Sequence, residues 1–259
     1  MLRSPSPIVR RLSPLLLAGV AALALSACAS NRASVRSSDY AALPASEVHS
    51  TLGQLAARYK QNPRDKATMV NYSAALRTNG QATQAVAVIE GGMRDHGRDP
   101  SIRVAYAKAL AAAGRFEQAL AVVDDTINPA QPDWNALSVK GAILDQMGRN
   151  QDARGLYQQA LKIAPNEASL YANLGLSYAM TSELPAAEAH LQKAIRMRGA
   201  NGQVRQNLAL VIGLQGRFDE SRALFAKDLS PEQVEANMSY IRAMLTQQNR
   251  WDLIKGAEG

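Results

Sequence analysis

The stretch AAAGRFEQALAVV (111–123) returns in altered form as GLQGRFDESRALF (213–225). In both, a glycine ends an apolar run and is followed by Arg, Phe and an acid, and Gly114 and Gly216 stand 102 residues apart, three times 34. Stepping by 34 gives Gly80, Gly114, Gly148, Ser182 and Gly216. Five residues later come Ala85, Ala119, Ala153, Ala187 and Ser221, and seven after those Gly92, Thr126, Ala160, Ala194 and Asp228. Small residues fill most of these columns without an insertion or deletion. A 34-residue period is the sequence signature of helix–turn–helix units stacked as a solenoid. Each column has a physical reason. Glycine supplies the left-handed residue that ends a helix, and the acid after it suits the positive end of the next helix dipole. Phe116 and Phe218 are placed to pack back on the hairpin, and the small residue of the second helix lets the pair approach closely. Reading the glycine turns as anion-binding loops fails, because glycine occurs once per turn and no phosphate-cradling cluster follows.

Working outward, the composition agrees. The chain has 259 residues, 47% apolar, 20% charged and 5% aromatic. Abundant alanine favours closely packed helices, and no period-2 run of β-branched residues suggests a sheet. The expected class is all-α, with units at 66–99, 100–133, 134–167, 168–201 and 202–235. Before them, 45–65 reads as a capping helix with Leu52, Leu55, Ala56 and Tyr59, ended by Asn62-Pro63. After them, Ser230-Pro231-Glu232-Gln233 reads as a capping box with proline at the first helical position. It opens a helix that buries Met238, Ile241 and Leu245. A last short segment with Trp251, Leu253 and Ile254 completes a C-terminal cap at 236–259, since end units of a solenoid need covering.

The N-terminus is a separate object. MLRSPSPIVRRLSP carries Arg3, Arg10 and Arg11 and no acid, and LLLAGVAALAL (15–25) is too short to span a bilayer comfortably. This is the anatomy of an export signal over 1–27. Arg10-Arg11 also reads as a twin-arginine signal, although the rest of that pattern is poor. Leu25-Ser26-Ala27-Cys28 resembles the lipobox of bacterial lipoproteins, which implies that Cys28 becomes the acylated first residue. Cleavage after Ala29, or a free or intermolecularly paired Cys28, are the other readings. Cys28 is the single cysteine, so no intramolecular disulfide forms. Removing 1–27 lowers the formal charge from +7 to +4. The Ser- and Ala-rich stretch that follows, within 28–44, reads as a tether whose sixteen residues reach about 20–24 Å. Export argues against nucleic acid as a partner. The lipoprotein resemblance, with Ala29 rather than Asp after the cysteine, implies the outer membrane, held by acyl chains and facing the periplasm.

Nothing in the sequence forms a catalytic constellation. His49, His96 and His190 stand far apart, and neither His-Glu-x-x-His nor Gly-x-Ser-x-Gly occurs. Asp124-Asp125 reads as solvated charge at a helix end. The expectation is a non-enzyme with no cofactor, no metal and no small-molecule substrate.

The unit WNALSVKGAILDQMGRNQDARGLYQQALKIAPNE (134–167) places Gly141, Gly148, Ala153, Tyr157, Ala160 and Pro165 in the pattern of the tetratricopeptide repeat, TPR, and the next unit adds Leu174, Gly175, Tyr178, Ala187 and Ala194. Ser182, Ser221 and Gly92 depart from that pattern. The resemblance implies a right-handed all-α solenoid of five to six units. It also implies a concave groove lined by first helices, with Asn71, Val104, Lys108, Val139, Asn173, Leu176, Asn207 and Leu210 contacting a protein partner. The groove reads as mostly apolar, with Arg77, Lys108 and Asp145 as its few charges. Asn71, Asn173 and Asn207 share one register, where amides could pair with an extended ligand or bond only neighbouring helices. With its anchor and the tail EANMSYIRAMLTQQNRW (235–251), the chain resembles the TPR lipoproteins of envelope machines, the TadD-like family of the tight-adherence (Flp) pilus system in particular. That implies an assembly factor contacting the pilus secretin. A pilotin of another secretin system and an adaptor for peptidoglycan hydrolases or synthases remain the alternatives.

Overall fold

A computed structural model describes residues 45–257, with side chains described over 51–247. The expected signal segment, Cys28 and the tether lie outside the described residues. The described chain is twelve helices with no strand. After α1 (Ala45–Gln61), first helices α2 (Lys66–Thr78), α4 (Pro100–Ala112), α6 (Trp134–Gln146), α8 (Ala168–Met180) and α10 (Gly202–Leu214) begin at steps of 34. The second helices α3 (Ala82–His96), α5 (Phe116–Asp124), α7 (Asn150–Ile163), α9 (Leu184–Ile195) and α11 (Phe218–Phe225) do the same. The chain closes with α12 (Pro231–Ala257). The last short segment expected around Trp251 is therefore not separate: it continues α12, because no glycine or proline interrupts 232–255.

Local chemistry sets the ends. Asp65 accepts from the Thr68 amide, Asp99 from those of Ser101 and Ile102, Asp133 from those of Asn135 and Ala136, and Asn201 from that of Val204. Each thereby satisfies amides that a helix start leaves unpaired. At the capping box, the Gln233 amide donates to Ser230 Oγ at 3.4 Å, and the Ser230 amide donates back to Gln233 Oε1 at 3.0 Å. The inter-helix turns repeat one geometry. Gly114 has φ 74°, Gly148 76° and Gly216 82°, and the next residue bonds back five positions, Arg115 N to Leu110 O at 2.9 Å and Arg149 N to Leu144 O at 2.9 Å. Ser182 adopts φ 62° in the same turn, a conformation that favours glycine.

Between paired helices Ala85, Ala119, Ala153, Ala187 and Ser221 are fully buried. The Ser221 hydroxyl is satisfied by donating to Ala209 O at 2.7 Å. The approach is close where glycine faces a large side chain: a Cβ at Gly141 would lie 2.7 Å from the Tyr157 ring.

Antiparallel pairing gives the solenoid two edges. On one, first helices begin and second helices end, stitched by Arg64–Asp95 (3.2 Å), Lys66–Asp99 (2.6 Å), Arg103–Asp125 (3.0 Å) and Arg205–Asp228 (2.5 Å). The other carries the turns. There Arg154 of α7 reaches Glu183 in the turn of the next unit (2.8 Å), and Glu188 of α9 reaches Arg217 in the following turn (2.8 Å). Arg222, in the last turn of α11, pairs with Glu235 of α12 toward the first edge.

Candidate partner-binding face

The first helices of neighbouring units meet side by side, and the residues expected to line a groove lie along this seam. Val104, Val139, Asn173, Leu176, Asn207 and Leu210 are buried, whereas Asn71 and Lys108 are half-buried. Val104 and Val139 belong to the core of the first three units, and Leu210 packs with Phe225, Val234, Met238 and Ile241. Half-buried positions, Asn71, Lys108, Gln146 and Gln206, are what this face offers at its surface.

The asparagine register has two different members at its C-terminal end. Asn173 donates from Nδ2 to Ser138 Oγ of the preceding unit at 3.0 Å. Asn207, 1% exposed, accepts on Oδ1 from Gln203 Nε2 at 3.2 Å, but its Nδ2 has no partner. The reason is in the sequence: 34 residues after Ser138 stands Ala172, which has no acceptor to offer. Gln146 Nε2 and Gln206 Nε2 are likewise buried without a partner. Unmade hydrogen bonds of this kind cost about 1–3 kcal/mol each. All three atoms are donors, and all belong to first helices.

Asp145 does not serve as a groove charge. It is 3% exposed and accepts from Tyr157 Oη (2.9 Å), Ser177 Oγ (2.8 Å) and Asn150 Nδ2 (2.8 Å), joining α6, α7 and α8. Burial pushes its carboxyl above the ordinary range, against the lowering effect of these three donors and of Arg154. The face on which Asp145 lies follows from the helix period, but its partners come from two other helices. The acids at 124 and 125 are paired rather than merely solvated, Asp124 with Lys140 at 2.7 Å and Asp125 with Arg103 at 3.0 Å.

His190, distant in sequence from the other histidines, is the centre of an aromatic column. It stacks on Tyr178 (centroids 5.3 Å, planes 4° apart) and on Tyr171 (6.4 Å, 24°). The Arg154 guanidinium lies 3.9 Å over Tyr178, and the Lys193 ammonium 4.2 Å over Tyr171. Burial, then Lys193, holds the imidazole below its ordinary value. The seven-residue spacing of Tyr171 and Tyr178 was the available signal, since it places both rings on one face of α8. Arg154 also donates to Ser177 O and Glu183, so the open cavity beside it, lined by Asn150, Gln158, Tyr178 and Thr181, presents an already neutralised cation. Among the described residues no three His, Cys, Asp or Glu side chains are grouped to hold a metal ion.

Two tetratricopeptide-repeat family models match the chain, at residues 76–143 and 135–200. No curated protein matches it. Among solved structures it is similar to TTC0263, a thermophilic TPR protein of Thermus thermophilus, at 21% identity over 71% of this chain and 98% of that one, with a TM-score of 0.60. It is also similar to human IFIT1, solved as a dimer with m7Gppp-AAAA, at 14% identity over 76% of this chain and 50% of that one, with a TM-score of 0.59. At these identities the likeness concerns the fold. The chain carries tetratricopeptide repeats and folds as an all-α TPR solenoid.

Proposed function

We propose that this protein is a non-catalytic scaffold, anchored in the outer membrane through Cys28, that supports tight-adherence (Flp) pilus assembly by holding an extended segment of an envelope partner, the pilus secretin in the first instance. TPR repeats support a protein–protein interaction scaffold. The observation that carries the mechanism is the set of unpartnered donors at Gln146, Gln206 and Asn207 on first helices. An extended peptide presents backbone carbonyls, the acceptors these amides lack, and the half-buried Gln146 and Gln206 can turn their amides outward to meet them, whereas Asn207 is enclosed. Asn173, already bonded to Ser138, holds adjacent units together instead. The pilus assignment rests on the anchor-like N-terminus and the tail at 235–251.

The test is crosslinking in cells from a photoreactive residue at position 206, half-buried on this face, since Leu176 is buried. Capture of the secretin or another pilus component, with loss of secretin multimers and surface pili on deletion, is the expected result. Capture of a murein hydrolase with pili intact would replace the pilus reading by that of a peptidoglycan adaptor. Fatty-acid labelling that persists in Cys28→Ala would remove the anchor.

A further inference from the structure

Ion pairs occur on both edges, but cations without an acid gather on one. Where the turns lie, Arg115, Arg149, Arg154 and Arg217 each have an acid within ion-pair distance. Where the second helices of units three to five end, Lys162, Lys193, Arg196, Arg198 and Lys227 are exposed and none pairs with an acid. Lys162 and Arg196 stand 34 residues apart, at equivalent ends of neighbouring helices. Beside Lys162 is Ile163, 46% exposed, the most exposed large apolar side chain described. Helix dipoles favour cations in a last turn, which suits Lys162 and Lys193. Arg198 and Lys227 lie beyond the ends of α9 and α11, and the dipole does not explain them.

We infer that this edge is a membrane-docking surface for anionic phospholipid headgroups. Cations spaced along the side of a rod, with an apolar side chain among them, match a flat anionic surface. A pocket for an acidic peptide would instead turn such groups toward one another. No described helix is long and apolar enough to cross a membrane, so the contact is superficial. The geometry also suits the anchor reading, on which this inference partly rests. Since α1 ends on the basic edge, it begins on the other, and its seventeen residues rise about 25 Å. The tether's root-mean-square span is about 20–24 Å, and drawn out its sixteen residues reach about 53–58 Å, enough for an acylated Cys28 and the basic edge to meet one bilayer.

The experiment uses the chain from Ala29 onward, without acyl groups, and phosphatidylcholine vesicles with and without phosphatidylglycerol. Failure here is thereby separate from failure of Cys28 acylation. Binding is expected only with phosphatidylglycerol and is expected to fall with salt. Each such cation strengthens attachment roughly fivefold, so Lys162→Gln, Arg196→Gln and Arg198→Gln together reduce the partition coefficient about a hundredfold. Ile163→Ser weakens it further, whereas Arg115→Gln with Arg149→Gln on the turn edge leaves it unchanged. Equal binding to neutral vesicles, no binding to either, an unchanged partition coefficient in the helical, normally melting triple variant, or tighter capture by polyglutamate than by vesicles would each overturn the inference.

Discussion

Two glycines of the third unit should respond in opposite directions to the same substitution. In Gly141→Ala, the new Cβ would lie 2.7, 2.9 and 3.1 Å from three carbons of the Tyr157 ring. Carbon contacts settle near 3.5 Å, so the ring must move by about 0.8 Å. Tyr157 is 1% exposed, and its hydroxyl donates to buried Asp145 at 2.9 Å, so it has little room to move. Overpacking costs about 1–3 kcal/mol, and a weakened bond to a charged acceptor about 1.5–3 kcal/mol. Alanine returns about 1 kcal/mol through helix propensity. The net loss is about 1.5–5 kcal/mol. In Gly155→Ala the Cβ meets nothing within 4 Å, so the propensity gain remains and the variant is more stable by about 0.5–1 kcal/mol. Urea denaturation followed by Trp134 emission in a Trp251→Phe background reads the unit itself, because Trp134 packs beside Leu137, Ala160 and Leu170. With Tyr157→Phe the hydrogen bond is gone beforehand, and the cost of Gly141→Ala should fall to about 0–2 kcal/mol. Midpoints that shift in the same direction for both glycines would refute the close approach of α6 and α7, and an undiminished cost in the Tyr157→Phe background would refute the part assigned to Asp145.

Ser182→Gly should stabilise the protein by about 1 kcal/mol, since φ 62° strains an L residue; calorimetry that shows no rise in melting temperature would contradict that turn geometry. Two carboxylates should pull the pH profile of stability in opposite directions. Burial raises Asp99, but Lys66, the Ser101 hydroxyl and the amides of Ser101 and Ile102 outweigh it and hold it at about 2 against an ordinary 3.8. Its contribution is thus complete above 3.8 and is lost as pH falls toward 2, and Lys66→Met should shrink this acid loss in pH-dependent urea titrations. Asp145 is raised, so protonation as the pH falls relieves its buried charge. Asp145→Asn should remove an acid-side gain and make the same titration fall more steeply.

The repeat frame was legible because it rests on local constraints. Gly80, Gly114, Gly148 and Gly216 mark a backbone conformation, and Ala119 or Ala153 a helix–helix distance, so each is visible in one short stretch. The seryl turn at 182 was visible as a departure, although its left-handed backbone was not. The partner-binding face was legible only as a register. Helix periodicity assigns Asn173 and Asn207 to equivalent places, but whether each amide is satisfied depends on Ser138 and Ala172, one unit away. Asp145 was misplaced for the same reason: its environment is built by Asn150, Tyr157 and Ser177, which surround it only after three helices pack. The gathering of unpaired cations at the ends of the later second helices is equally three-dimensional, since the composition gives a net charge but no pairing.

The ion pairs between successive units also number them. Arg154 of the third unit meets Glu183 of the fourth, Glu188 of the fourth meets Arg217 of the fifth, and Arg222 of the fifth meets Glu235. The fourth unit carries acids at both places where the third and fifth carry arginines at 149, 154, 217 and 222. Splicing out 168–201, which leaves the 34-residue frame intact, would set Arg154 against Arg217. Duplicating the same unit would set Glu188 against a second Glu183. Tandem genes gain and lose whole repeats readily, and backbones of this kind would accept either change; the alternation of sign makes both register errors repulsive, as it does an exchange of fourth units out of order between two copies of the chain.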